Sequence, residues 1–408
     1  MAATLALATP LALAGCGGGS SPAGPSQAGG SAATGVTLTA LDYYNDQPVK
    51  GIWQTALTKC GTESGVKVTQ NTVPGGNLIQ KVLQEGSSKT LPDILMLDNP
   101  DLQQIAATGA LSPLKNYGIS PSGYFPAVTK ASTYKGELYG LQPVTNTIGL
   151  FYNKDLLSKA GVTPPTTWAE LQSDAKKLTD SASGRYGMAF SAINTYEGTW
   201  QFLPFMWSNG GDEKNIATPA SAQALQLWVD MVNDGSVSKS TVNWTQADVQ
   251  AQFAAGKAAM MVNGPWQFPV LDKIKGLNYG VVPIPSPSAG KPVVNPLGGE
   301  TWTVPNTGDT AKQKAAAKVI QCLSTDSMQK WLADKNQTIP TKTAVATSYA
   351  ASNPKNQAFA EEIKTARSRT GELGADWPKA ATKIYQAIQL ALVGGKTPMQ
   401  ALQQTQNG

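Results

Sequence analysis

The sequence predicts an α/β protein of two domains, in which strands and helices alternate along the chain. Two observations carry this. Apolar strand-like runs at 36–41, 66–69 and 93–97 are separated by helical patterns at 49–64 and 78–84, and strands joined through helices form parallel, doubly wound sheets. The chain also has 408 residues, and single hydrophobic cores stop growing beyond about 250–300 residues.

The elements follow in order. Residues 36–41 (Val-Thr-Leu-Thr-Ala-Leu) read as a strand and 49–64 as an amphipathic helix. The pair repeats at 66–69 and 78–84, and Asp93-Ile94-Leu95-Met96-Leu97 has the continuous apolar character of a buried strand. Ligands of such sheets bind beyond the carboxyl ends of the strands, which makes Tyr43, Tyr44, Asn45, Asp98 and Asn99 candidate site residues. After the Lys135-Gly136 turn, strands are expected at 138–141 and 148–152, and Thr167 with Glu170 three residues later forms a capping box that opens a helix. Helical patterns at 221–232 and 246–255 precede a strand at 258–262, which ends in Asn263-Gly264-Pro265-Trp266. Strands at 279–284 and 300–304 lead into helices at 310–324 and 327–333. The last long helical pattern, 377–392, is stopped by Gly394-Gly395.

The first 35 residues are of another kind. Their apolar run up to Ala14 is too short to span a bilayer, and Leu13-Ala14-Gly15-Cys16 resembles the lipobox of a bacterial lipoprotein signal peptide. That resemblance implies a signal peptide over 1–15, a diacylglycerol on Cys16, and an extracytoplasmic protein anchored to the cell membrane. No Lys or Arg precedes Lys50, so the basic region of an export signal is missing and the start of the reading frame is expected upstream. Residues 16–35, mostly Gly, Ser, Pro and Ala without charge or aromatic rings, read as a lipidated flexible tether. No later stretch is apolar over the length a transmembrane helix needs.

Composition removes several functions. Histidine is absent, which excludes Ser-His-Asp and Cys-His catalysis and every histidine-based metal site. The formal charge of +5 comes from scattered basic residues, with no cluster suited to nucleic acid. No cofactor is expected. With Cys16 assigned to lipid, Cys60 and Cys322 remain, and an even remainder in an exported chain reads as a disulfide. Two buried free thiols on helices are the alternative.

An ordered series of motifs runs along nearly all of the chain from Val36. It comprises Pro92-Asp93-Ile94 through Gly109-Ala110-Leu111, Gly149-Leu150-Phe151-Tyr152-Asn153-Lys154-Asp155-Leu156-Leu157 and Pro164-Pro165-Thr166-Thr167-Trp168. Further on come Phe253-Ala254-Ala255-Gly256-Lys257-Ala258-Ala259-Met260, then Asn263-Gly264-Pro265-Trp266 and Gly298-Gly299-Glu300-Thr301-Trp302. This series resembles the sugar-type extracellular solute-binding proteins of ABC importers, the group that contains the maltose-binding proteins. The resemblance implies two α/β lobes joined by crossing strands, with a ligand cleft between them. Lobe one is expected to comprise 36–145 and 295–341, and lobe two 146–294 and 342–408. It also implies a binding protein rather than an enzyme, a monomer that carries a carbohydrate to permease subunits in the membrane. No GxxxxGK[ST] phosphate loop is present, so the importer's ATPase is expected on a separate chain.

Sugar recognition calls for flat aromatic faces against the pyranose ring and planar polar groups for its hydroxyls. The resemblance brings Trp266, Trp200 and Asn146 to sugar-contacting positions. Gly298 and Gly299 are expected to let backbone amides approach the ligand, with Glu300 beside them. Trp168 and Trp228 fall inside helical patterns and are read as core. Trp200 reads equally well as a packing residue and Asp98 as a helix cap, while Glu197, Trp302, Arg369 and Trp377 join the candidates against solvated charge or lobe packing. The maltose pattern has acidic residues where this chain has Asn146 and Pro100, so maltose specificity does not carry over. Two rivals stand beside the sugar-binding reading. One is a binding protein of the same fold for another solute, such as a polyamine, and the other a secreted glycoside hydrolase using two of Asp98, Glu197 and Glu300.

Overall fold

The computed structural model describes residues 35–371 and 373–408, so Cys16 and its expected lipid lie outside the described residues. Two sheets organise the chain. The first has five strands in the order Lys67–Thr72, Thr37–Asp42, Ile94–Asp98, Glu300–Thr303, Gly140–Leu141. Its first three strands are parallel, as their helical connections require. Glu300–Thr303 runs antiparallel to both neighbours. The second sheet, ordered Tyr279–Val282, Gly149–Asn153, Ala258–Asn263, Tyr186–Ala189, has a single parallel pair, between the last two. Both sheets are therefore mixed, which corrects the expectation of a purely parallel arrangement. The physical reason is connectivity: Glu300–Thr303 and Gly149–Asn153 each enter their sheet from the other side of the molecule along an extended segment, free of the direction that a crossover helix imposes.

The crossing segments are tied to one another. Val144–Thr145 pairs with Ile339–Pro340, and Pro296–Leu297 pairs with Arg367–Ser368. Between them, Gln142 Nε2 and Thr145 Oγ1 donate to the Gly298 carbonyl at 2.9 and 2.8 Å, and Thr147 Oγ1 donates to the Pro296 carbonyl at 2.8 Å.

One core lies on the first sheet and continues through Phe359 to Phe151 and Phe268 on one face of the second, and another fills the opposite face of the second sheet. On the first, Trp53 from the helix Val49–Glu63 meets Trp302 from the sheet with ring centroids 5.0 Å apart. That helix packs on Thr310–Leu323, and a Cys60–Cys322 disulfide joins the two, with Cα atoms 5.5 Å apart. On the second, Trp228 stacks on Phe190 at 4.0 Å and meets Phe202 and Phe205 edge-on. The stretch 343–366 touches both halves. Its helix Thr343–Ser352 packs on Asp326–Asn336, while Phe359 lies against Phe151 and Phe268.

Candidate functional site

A cleft of about 650 Å³ lies between the two sheets, within the range of small-molecule sites. Tyr43, Tyr44 and Asn45 enter it from the loop after Thr37–Asp42, Asp98 from the last position of Ile94–Asp98, and Glu300 from the first position of Glu300–Thr303. Glu300 and Asp98 are direct partners across two antiparallel strands. The opposite wall carries Glu197 and Trp200 on the helix Tyr196–Ser208, and Trp266 in the turn Pro265–Gln267 beyond Ala258–Asn263. Asn146, Gly298, Gly299 and Arg369 line the cleft from the crossing segments.

The buried Arg369 charge is locally paired here, as it must be to persist. Arg369, 3% exposed, donates from Nη1 to Asp98 Oδ2 at 2.7 Å and from Nη2 to Asp98 Oδ1 in a bidentate fork. Two further donors go to the Asn99 side chain and the Leu297 carbonyl. The guanidinium lies over Trp200, 4.7 Å from the ring centroid, and 5.8 Å from that of Trp377. Tyr43 donates its hydroxyl to Glu300 Oε1 at 2.5 Å. Burial pushes the Glu300 carboxyl above the usual carboxylate range, against the Tyr43 hydrogen bond that pulls it down. Burial likewise raises Glu197, whose Oε2 accepts from the Gln246 amide at 2.7 Å.

Three expected site residues lie elsewhere. Asn99 is fully buried, and its amide group donates to the Leu297 carbonyl. Trp302 and Trp377 are both 0% exposed, the first under Trp53 and the second edge-on to Tyr196. Each sits behind a residue that does reach the cleft, which accounts for its aromatic character without a ligand. Gly298 also differs from expectation. The Gly298 amide donates to the Asn146 carbonyl at 2.8 Å, and a Cβ at Gly298 would fall 2.0 Å from Asn146 Oδ1 and 2.7 Å from the Trp200 ring. Its bare backbone makes room for two cleft side chains rather than for a ligand at its own amide.

The match to known families follows this geometry. Residues 55–360 match the model of the bacterial extracellular solute-binding proteins. The chain belongs to that family. Among relatives of this solute-binding protein, a putative binding protein of Brucella abortus is 28% identical over 236 residues, covering 55% of this chain and 57% of the relative. That match spans little more than half the relative's length. The maltooligosaccharide ABC transporter solute-binding lipoprotein of Streptococcus pneumoniae is 26% identical, covering 85% of this chain and 84% of its own. Among solved structures, the GacH receptor of Streptomyces glaucescens GLA.O, determined unliganded and with acarbose, superposes with a TM-score of 0.81 at 26% identity, covering 92% of this chain and 97% of that one.

Sequence reasoning missed several residues that line the cleft of this solute-binding protein. Asp101 lies one turn beyond Asp98, in the segment Asn99–Asp101, and Tyr196 and Tyr385 come from helices facing it. Gln246 and Gln267 complete the wall around Trp266. A signal existed for Asp101, which shares its loop with two expected residues; none existed for Tyr385, an unremarkable position in a long helix.

Proposed function

We propose that this protein is the substrate-binding lipoprotein of a carbohydrate ABC importer, which captures a mono- or oligosaccharide between two lobes and delivers it to the permease. The observation that carries the proposal is the composition of the two cleft walls. Half-buried aromatic rings, Tyr43 and Tyr44 on one side and Tyr196 and Trp266 on the other, alternate with carboxylates and side-chain amides. Rings offer flat apolar faces to a pyranose and carboxylates accept its hydroxyls. The Streptococcus relative named for maltooligosaccharide and the GacH receptor crystallised with acarbose support the same reading.

In this proposal the lobes are 36–145 with 295–341 and 146–294 with 342–408, hinged near Thr145 and Asn295. The protein acts as a monomer, performs no chemistry on the sugar, and is held outside the membrane by the lipid on Cys16. Among the described residues no helix is long and apolar enough to cross a membrane. Asp98 is engaged by Arg369 and Glu300 by Tyr43, an arrangement that suits recognition better than proton transfer.

A thermal-shift screen over mono- and oligosaccharides tests the reading, because a ligand at 100 times its dissociation constant adds about 2.7 kcal/mol. A shift without turnover supports it. Turnover would reveal a hydrolase, and a response to polyamines alone would point to another solute. For the anchor, Cys16→Ser is expected to leave the membrane fraction; unchanged membrane association would refute lipidation at that residue.

A further inference from the structure

Resting on the saccharide reading, we infer that the ligand carries a basic nitrogen, so that the cleft takes an amine-bearing saccharide in preference to its neutral counterpart. The chain as a whole is basic, with a formal charge of +5, yet its cleft is not. Among the described lining residues, Asp46, Asp98, Asp101, Glu197 and Glu300 face a single cationic side chain, Arg369. That guanidinium is already committed to Asp98, Asn99 and the Leu297 carbonyl. Like charges directly across antiparallel strands destabilise a sheet, and Glu300 and Asp98 stand in that relation, with Arg369 paired to Asp98 alone.

Asp101 is the observation that points beyond a charge count. It lines the cleft, is 4% exposed, and its Oδ1 has no hydrogen-bond partner. A buried carboxyl without a donor is costly, and native structures seldom keep one without a use for it. Burial and then the Asp98 charge push this carboxyl well above its ordinary range, and burial also raises Glu300 and Glu197. Carboxyls raised in this way hold their protons in the empty cleft, and a neutral sugar hydroxyl supplies a hydrogen bond without stabilising their ionised form. An ammonium donates to them and also favours their ionised form, and the rings of Tyr43, Tyr196 and Trp266 offer it π faces as well.

The test is calorimetric titration of the full chain near neutral pH, where a sugar amine is still substantially protonated and the raised carboxyls ionise more readily than in acid. Matched pairs are glucose and glucosamine, galactose and galactosamine, mannose and mannosamine, and the β-1,4 trisaccharides of glucose and of glucosamine. N-acetylated forms serve as uncharged controls and spermidine as a sugar-free cation. In at least one pair the amine is expected to bind about tenfold or more tightly than its neutral and acetylated counterparts. Asp101→Asn and Glu300→Gln should each narrow that gap, with ligand-free melting to confirm the fold; if one variant does not fold, the other decides. Equal or tighter binding of the neutral member in every responding pair overturns the inference and leaves the saccharide reading standing. No response to any amine sugar also overturns it. Binding of spermidine with no sugar response overturns the saccharide reading and this inference together.

Discussion

An added Cβ at Gly264 would lie 1.9 Å from the Trp266 ring, so the indole folds back over a bare stretch of its own backbone and is presented to the cleft by a turn rather than by a mobile loop. Such a ring can stack on a sugar face without being ordered on binding. Trp266→Ala is therefore expected to cost roughly 1.5–3 kcal/mol of binding, about ten- to hundred-fold in affinity. Melting of the ligand-free variant should change little, because the ring is half-exposed; a loss typical of buried aromatics, roughly 3–5 kcal/mol, would show that Trp266 serves packing instead. A second residue gives a pH-dependent prediction. Asp42 is fully buried beneath the cleft loop, accepting from the Tyr44 amide and Gln70 Nε2, and burial pushes its carboxyl up to about 6 against the pull of those bonds and of Lys50. An acid raised in the folded state binds more protons folded than unfolded, so its contribution to stability falls as pH climbs from about 4 to about 6 and stays low above. Asp42→Asn should remove that dependence. Gln70 Oε1 has no partner, so the amide can flip and accept from the new Asn. Urea unfolding across this range is expected to show the variant gaining on the wild type toward neutral pH; a constant difference at every pH would refute the assignment. Legibility at this scale followed chemistry more than position. Polar residues at strand ends, such as Asp98 and Glu300, were readable because strand ends face the cleft, whereas Trp302 and Trp377 carry the same ring as Trp266 and differ only in what packs over them.

Elements were readable where their ends carry local signals. Thr167 and Glu170 form the reciprocal capping box that their spacing implies, with the Glu170 amide donating to Thr167 Oγ1 and the Thr167 amide to Glu170 Oε2. The helix Tyr196–Ser208 went unpredicted, although it carries Glu197 and Trp200, because Gly198 and Pro204 break its pattern. Buried on nearly every side, it draws its stability from tertiary packing rather than propensity. Strand direction was illegible for a different reason, since it depends on crossing segments that bring Glu300 beside Asp98 across some two hundred residues of chain. The disulfide acts between elements in the same non-local way. It joins the helix Val49–Glu63 to Thr310–Leu323 over a separation of 262 residues, closing a loop that runs out through the second sheet and back. Constraining the unfolded chain is worth typically 2–4 kcal/mol. The double variant Cys60→Ala/Cys322→Ala is expected to unfold at lower urea by about that amount while keeping its sugar response, because neither cysteine lines the cleft. An unchanged midpoint would mean that the packing of the two helices already supplies the constraint.

At the scale of the whole molecule, the architecture separates what must stay rigid from what is free to bend. Each sheet has its own aromatic cluster, around Trp53 and Trp302 on one side and Trp228 with Phe190 on the other. The connections between them include short extended segments, held together by bonds from Gln142 and Thr145 to the Gly298 carbonyl, beside the helical stretch 343–366 that packs on both halves. In the proposed hinge, rotation about such segments keeps the Trp53–Trp302 and Trp228–Phe190 contacts, Phe359 stays with Phe151 and Phe268, and the change is absorbed by a few backbone dihedrals at the ends of the short strands. A ligand that touches both walls binds the closed form better than the open one, and only that difference in affinity drives closure. A transporter can then distinguish a loaded protein from an empty one by shape alone. Small-angle scattering with a sugar identified by the thermal screen is expected to give a smaller radius of gyration at saturation than without ligand. Trp266→Ala, which weakens contact with one wall, should need correspondingly more sugar to reach the same compaction. Superimposable profiles at confirmed saturation would show that the lobes do not move, and a rigid preformed cleft would have to replace the hinge.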